Sequence, residues 1–207
     1  MKTSFILAFV LSSGLLFSSC GSKQEDKGQE EEKAEEAKGP IDALQAFADK
    51  AKEMGNREAV EPIDFRKLKE LLPEKLGSLS RTEATGEKSG AMGFTVSTAE
   101  GKYSGGDGES IDIEIIDTGG IAGVSTMTLA AWSIAEIDKE TATGYEKTTK
   151  LEGYKSFEKY DNQNKSGELN VLVADRYLVN VDGNNVSIDQ LKDALKDIDL
   201  SKLGDLK

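Results

Sequence analysis

The stretch "ESIDIEIID", Glu109–Asp117, decides how the rest of the chain is read. Ile111, Ile113 and Ile115 share one parity, and Asp112 and Glu114 the other. A period of two is that of an extended strand, whose successive side chains point to opposite faces. One face is apolar and the other charged. That fits an antiparallel sheet with one wet face better than a parallel sheet buried on both.

Working outward, the same alternation recurs. "GFTVSTAEGKY" (Gly93–Tyr103) alternates from Phe94 through Val96. "GELNVLVADRYLVNVDG" reads as a hairpin: Leu169, Val171 and Val173 lead to a turn near Asp175-Arg176, and Tyr177, Val179 and Val181 return. "GYKSFEKYDNQ" adds a polar strand turning at Asp161–Asn164. Between the strand groups, "GGIAGVSTMTLAAWSI" (Gly119–Ile134) is too short to span a bilayer. Its Ala, Ser and Thr content predicts a helix packed closely on the sheet, with the only tryptophan, Trp132, at its far end.

Helical spacing frames these strands. Ile41, Leu44, Phe47, Ala48, Ala51 and Met54 recur at helix period between Pro40 and Gly55. Asp64 caps a second helix over Asp64–Leu72, which Pro73 stops. "SIDQ", Ser187–Gln190, is a capping box opening a last helix with Ile188, Leu191, Leu195 and Ile198 on its buried stripe. Helices separated from runs of strands predict an α+β fold. The expectation is one antiparallel sheet of about six to seven strands with helices packed on one face. Residues 73–200 form this domain, 40–72 an N-terminal helical segment and 201–207 a tail docking through Leu203. Two strands-then-helix units hint at duplication, without sequence identity between them.

Composition narrows the chemistry. The chain has 207 residues and no histidine, which removes imidazole bases and imidazole metal sites. One cysteine makes no internal disulfide and no C-x-x-C. Asp and Glu number 38 against 26 Lys and Arg, a net charge of −12. Such a surface repels nucleic acid and anionic headgroups, so membrane attachment would need a lipid or apolar anchor.

The N-terminus supplies one. Met1-Lys2 precedes the apolar run "FILAFVLSSGLLF", Phe5–Phe17, whose length suits a secretory signal rather than a membrane span. Ser18, Ser19 and Cys20 follow. This resembles the lipobox of bacterial lipoproteins, with Phe17 where Leu is usual. The resemblance implies a signal peptide over 1–19 and diacylglycerol on the Cys20 sulfur, which becomes the mature N-terminus. One acyl chain anchors only marginally and two or three hold firmly. The partner so implied is the lipid bilayer, through acylated Cys20. Residues 20–39 then form a disordered acidic tether: Gly21–Gly39 carries seven Asp and Glu against four Lys and no branched aliphatic residue. A short charged helix through "EEEKAEEAK" is the alternative. As coil the tether spans about 25 Å on average and about 65 Å extended. Glu25 and Asp26, close behind Cys20, resemble the acidic export signal of some Bacteroidota surface lipoproteins. Gly21 lacks the aspartate that retains enteric lipoproteins at the inner membrane. Together these imply an outer-membrane address, facing the periplasm or the cell surface.

Several short motifs invite a site and are better read as structure. "YSGGDG", Tyr103–Gly108, is a single glycine-rich copy without the stacked repeats of a calcium roll or the following helix of a phosphate loop. It reads as a hairpin tip. "DTGG", Asp117–Gly120, resembles half of an aspartic-protease signature, but no second copy exists. Asp117 or Thr118 is expected to cap the next helix, with the glycines allowing close approach to the sheet. "DNQNKSG", Asp161–Gly167, has Lys165 at a ligand position of a calcium loop and Ser166 in place of its glycine, so it reads as a polar turn. Asp112 and Glu114 are the wet face of a strand.

"LLPEKLGSLSR" and "GAMGFTVSTAEGKYSGGDGESIDIEIIDTGG" resemble a family of uncharacterised bacterial envelope proteins, in which LLP, GAMGF, GGDG and DTGG recur in that order. The likeness covers about Leu71 to Leu200. It implies an α+β fold and an envelope address, and no activity. Three functions follow, in descending order. The first is a non-enzymatic, lipid-anchored module that binds or assists an envelope protein partner. The second takes a small ligand or divalent cation on its acidic face. The third is a hydrolase using carboxylates alone. No cofactor, metal or catalytic residue is assigned. Cys20, for lipidation, is the one assigned site.

Overall fold

In the computed structural model, Ile111, Ile113 and Ile115 are at most 1% exposed and lie at the centre of a nine-stranded antiparallel sheet. The structure describes residues 60–91, 94–119 and 135–206, with isolated helical positions at Gln45, Asp49 and Lys52. All belong to the second of two units, Lys38–Lys207. Cys20, the signal and tether segments, most of the helix expected over Pro40–Met54, and the helix expected over Gly119–Ile134 with Trp132 (Gly119 apart) lie outside the described residues.

The elements, in chain order, are α1 (Phe65–Lys69), β1 (Lys75–Leu76), β2 (Leu79–Ala91), β3 (Phe94–Ser104), β4 (Ser110–Asp117), β5 (Asp138–Glu140), β6 (Gly144–Leu151), β7 (Tyr154–Asp161), β8 (Ser166–Val173), β9 (Tyr177–Asn184), α2 (Ile188–Lys196) and α3 (Leu200–Asp205). The sheet order is β1-β2-β3-β4-β9-β8-β7-β6-β5. Two meanders therefore meet at the β4–β9 seam. Strand order runs outward from that seam in matching fashion, β4 to β1 on one side and β9 to β6 on the other, with β5 added at one edge. Register at the seam pairs Ile113 with Val181 and Ile115 with Val179, which places all four on one face.

This is a mainly-β fold, which corrects the α+β arrangement of six to seven strands expected from sequence. The described helices are short, of 5, 9 and 6 residues. The strands missed are β1, β2, β5 and β6. β2 reads LSRTEATGEKSGA and β6 reads GYEKTTKL. Neither has a run of branched aliphatics, because each lies away from the seam where less apolar surface is buried. Their pairing is set by long neighbouring registers instead, β2 with β3 from Ser80↔Ser104 to Ala91↔Phe94.

The inner face carries the core. Ala99 and Tyr103 of β3, Leu169 and Val171 of β8, and Val179 and Val181 of β9 join the three isoleucines in one cluster. Leu68 of α1, Leu191, Ala194 and Leu195 of α2, and Leu203 of α3 cover it. Each fully buried Leu or Ile contributes about 1.5–3 kcal/mol. Glycines in the strands let the helices sit close. A Cβ on Gly86 would meet the Phe65 ring at 2.6 Å, and one on Gly183 would meet Leu191 at 2.5 Å.

Capping follows the residues that predict it. Asp64 accepts a hydrogen bond from Arg66 N–H at the start of α1. Ser187 and Gln190 form both halves of the capping box of α2, a device that stabilises a helix by about 1 kcal/mol. After α1 the Leu72 and Pro73 carbonyls accept from Arg81 Nη1 at 2.7 and 3.1 Å, and the Pro73 carbonyl also accepts from Tyr103 Oη at 2.8 Å. The tail is helical, with Leu203 fully buried and Tyr177 Oη donating to the Leu206 carbonyl at 2.8 Å.

Candidate functional site

Two carboxylates are withdrawn from water on the inner face, and each is fully partnered. Asp117, at the end of β4, is 0% exposed. Arg176, from the β8–β9 turn, grips it with both arms of its fork: Nε to Oδ1 at 2.8 Å and Nη2 to Oδ2 at 2.7 Å. Ile63 N–H donates to Oδ2 at 2.9 Å, and Gly119 N–H to Oδ1 at 2.8 Å. Thr118 Oγ1 donates to the Arg176 carbonyl at 2.8 Å, and Val60 N–H donates to the Gly119 carbonyl at 2.9 Å. Asp117–Gly119 is thus a clamp joining three distant segments. The helix that Asp117 or Thr118 is expected to cap lies outside the described residues; the Asp117 carboxylate accepts from the Gly119 N–H two positions on and from the Ile63 N–H 54 positions away.

Glu158 of β7 is 1% exposed and shares the inner face with Leu169, its partner in β8. Tyr145 Oη donates a hydrogen bond to its Oε1. Lys192 of α2 lies 3.1 Å from Oε2 and Lys147 of β6 3.6 Å from Oε1. Burial, and then the Glu158 carboxylate, push the Tyr145 phenol far above its ordinary range. Sequence reading missed this cluster. Its signal was parity: Ser156, Glu158 and Tyr160 alternate along β7 and fall on the core face only once the β7–β8 register is known.

The outer face is polar and organised in rungs across the sheet. Successive registers align Glu83, Lys102, Asp112, Asp182, Glu168, Lys159, Glu146 and Lys139. Asp112 and Glu114 lie on this wet face, as their parity predicts. Lysines stand at the flanks, and Asp112, Asp182 and Glu168 are adjacent in the middle. Partial burial, then Glu168, Asp112 and Glu114, hold the Asp182 carboxyl above its ordinary value. At the end of β6–β9 the face opens into a groove of about 550 Å³, lined among others by Thr141, Tyr145, Lys159, Asp161, Glu168 and Asp182. A smaller cleft of about 310 Å³ lies near the β2 edge, between Thr85, Glu87, Glu100 and Glu114.

The remaining motifs are turns. Gly105–Glu109 joins β3 to β4 with Asp107 at φ 57° and Gly108 at φ 78°. Asn185 Nδ2 and Gln190 Nε2 bind its Asp107 carbonyl and Glu109 Oε1. In the β7–β8 turn Asp161 Oδ1 accepts from Gln163 and Asn164 N–H at 2.8 and 2.9 Å, which lowers its pKa. Among the described residues no three Asp, Glu, Cys or His side chains are gathered to hold a metal, and no helix is long and apolar enough to cross a membrane.

Comparison of the chain with family models, with curated proteins and with solved structures gave no significant match in any of the three.

Proposed function

We propose that this chain is an envelope protein anchored to the outer membrane by acyl groups on Cys20, whose folded part binds a protein partner rather than performing a reaction. One observation supports the binding role above others. The two buried carboxylates among the described residues, Asp117 and Glu158, are committed to cationic partners that tie strands and helices together. Among the described residues neither carboxylate lines the two outer-face clefts, whereas Asp112, Lys159 and Asp182 are exposed on the outer face. The anchor rests on the signal-like run Phe5–Phe17 followed by Ser18, Ser19 and Cys20.

Fractionation of cells producing the full chain tests the anchor. The wild-type chain is expected in the membrane fraction with lipid mass on its N-terminal peptide, and Cys20→Ser in the soluble fraction. A Cys20→Ser chain that still pellets with membranes would refute lipid anchoring. For the binding role, a large thermal shift of the full chain on adding calcium would favour a cation-binding role instead.

A further inference from the structure

We infer that the edge of β2, unpaired among the described residues from Thr82 onward, is a docking strand for an extended, basic segment of another protein, which adds to the sheet by β-augmentation. This rests on the binding role proposed above and names its surface and the chemistry of its partner.

β2 is the longest strand, with 13 residues, yet β1 pairs with it only at Leu79 and Ser80. Among the described residues, no strand pairs with its outer side from Thr82 onward. The opposite edge of the sheet is managed differently: β5 is three residues long, Asp-Lys-Glu, and fully exposed, a short charged strand that discourages pairing.

The register says which β2 groups are available. β2 and β3 close at Ala91↔Phe94 around two residues, and antiparallel pairs alternate between those that exchange hydrogen bonds and those that do not. Residues at 85, 87 and 89 then bond to β3, while those at 84, 86, 88 and 90 turn their N–H and C=O groups outward. The Ala84 carbonyl follows this phase: it accepts from Lys69 Nζ at 3.4 Å rather than from a strand. An incoming strand would replace that long, exposed contact with ladder bonds. On the inner face Phe65 of α1 covers Gly86, so an incoming strand would reach these groups in the plane of the sheet.

Charge selects the partner. Beside this edge the outer face carries Glu83 and Glu87 on β2 with Glu100 and Glu114 behind them, around the cleft of about 310 Å³. Lys102 lies 3.3 Å from Glu100 and offsets only part of this. Alternate residues of an added strand project onto that same face. Lys or Arg at every second position would therefore stand over the carboxylates, the backbone supplying affinity and the charges specificity. A second copy of this chain, with net charge −12, would bring its own Glu83 and Glu87 to the same face.

The test uses the full Cys20→Ser chain and two probes: an eight-residue peptide alternating Lys with Thr or Val, and the same peptide with Glu for every Lys. Hydrogen exchange should show the Lys peptide protecting the amides of Ala84, Gly86 and Lys88, with affinity falling as salt rises. The Glu peptide should bind at least about tenfold more weakly. Glu87→Lys should narrow that preference. Lys88→Pro removes one outward N–H where an edge strand tolerates proline, and should abolish protection at Gly86 with the fold retained. Equal binding of the two peptides, or no protection of β2, overturns the proposal. Protection moving to the groove of Glu146, Lys159 and Glu168 overturns the edge while leaving the binding role standing. Protection of β2 that appears without peptide and grows with protein concentration assigns the edge to a second copy and also overturns it.

Discussion

Asp117 and Glu158 lie on the same face of one sheet and are equally shut off from water, yet they are held by opposite means. Asp117 meets a rigid guanidinium fork and two backbone N–H groups, so each oxygen has two fixed donors. Glu158 meets two lysines and a phenol. The lysine side chains are 41% and 29% exposed, whereas Arg176 is 16% exposed. Removing a charge from the first cluster strands a largely enclosed guanidinium. Removing it from the second releases ammonium groups that can swing to water on flexible stems. The same desolvated carboxylate therefore has a different structural weight in the two halves of the sheet.

The comparison breaks most sharply at Asp117→Asn. The side chain keeps its shape and loses its charge, leaving the largely enclosed Arg176 without this carboxylate and the amide with donors facing donors. The expected loss is about 3–5 kcal/mol, read as a fall in the urea midpoint at unchanged slope. A loss below about 1 kcal/mol would mean that the three clamped segments are held by packing alone. Glu158→Gln comes second, with an expected loss of about 1–2 kcal/mol, because Lys147 and Lys192 regain solvent. A loss equal to that of Asp117→Asn would mean that the two clusters hold their carboxylates equally firmly. Tyr145→Phe is third, at about 1 kcal/mol for one hydrogen bond. It should also change alkaline behaviour. A phenol whose folded pKa is raised contributes stability that is intact below about pH 10 and lost as pH rises further. Tyr145→Phe should lose less stability between about pH 9 and pH 11 than the wild-type chain.

The two clusters also differ in how far sequence could foresee them. The seam strands were legible, since Ile111, Ile113, Ile115, Val179 and Val181 alternate with polar residues and the core must lie on their side. The caps at Asp64 and Ser187 were legible for the same reason: a local hydrogen bond needs only local residues. Asp117 stood out as part of D-T-G-G, but its partners Ile63 and Arg176 are 54 and 59 positions away. Its role as a clamp is a property of sheet order, which alternation does not contain. β2 and β6 failed for the complementary reason. Polar strands far from the seam carry little apolar pattern, and their pairing is decided by the neighbour's register. Without them the sheet was two strands or more too small, and the β2 edge could not be seen.

The smallest effect concerns a carboxylate on the other face, where no cation among the described residues answers it. Asp182 stands between Asp112 and Glu168 on adjacent strands, and partial burial together with these neighbours raises its pKa. The folded chain then binds this proton more readily than the unfolded one. The strain of the charged form is greatest at neutral pH, and stability from this group is gained as pH falls through its folded value toward the unfolded value of about 3.9. Asp182→Asn abolishes that term. Since the residue is exposed at its tip, solvent screens most of the repulsion, and the variant should melt only about 1–2 °C higher at pH 7. The advantage should shrink toward zero by about pH 4. It must be read as a difference between variant and wild type at each pH, because Asp161 and Asp199, whose pKa values are lowered by backbone N–H groups, destabilise both chains on acidification. A variant less stable than wild type at neutral pH would mean that Asp182 is answered by a cation after all. The contrast with Asp117 would then be one of degree, since both carboxylates would be held by charge.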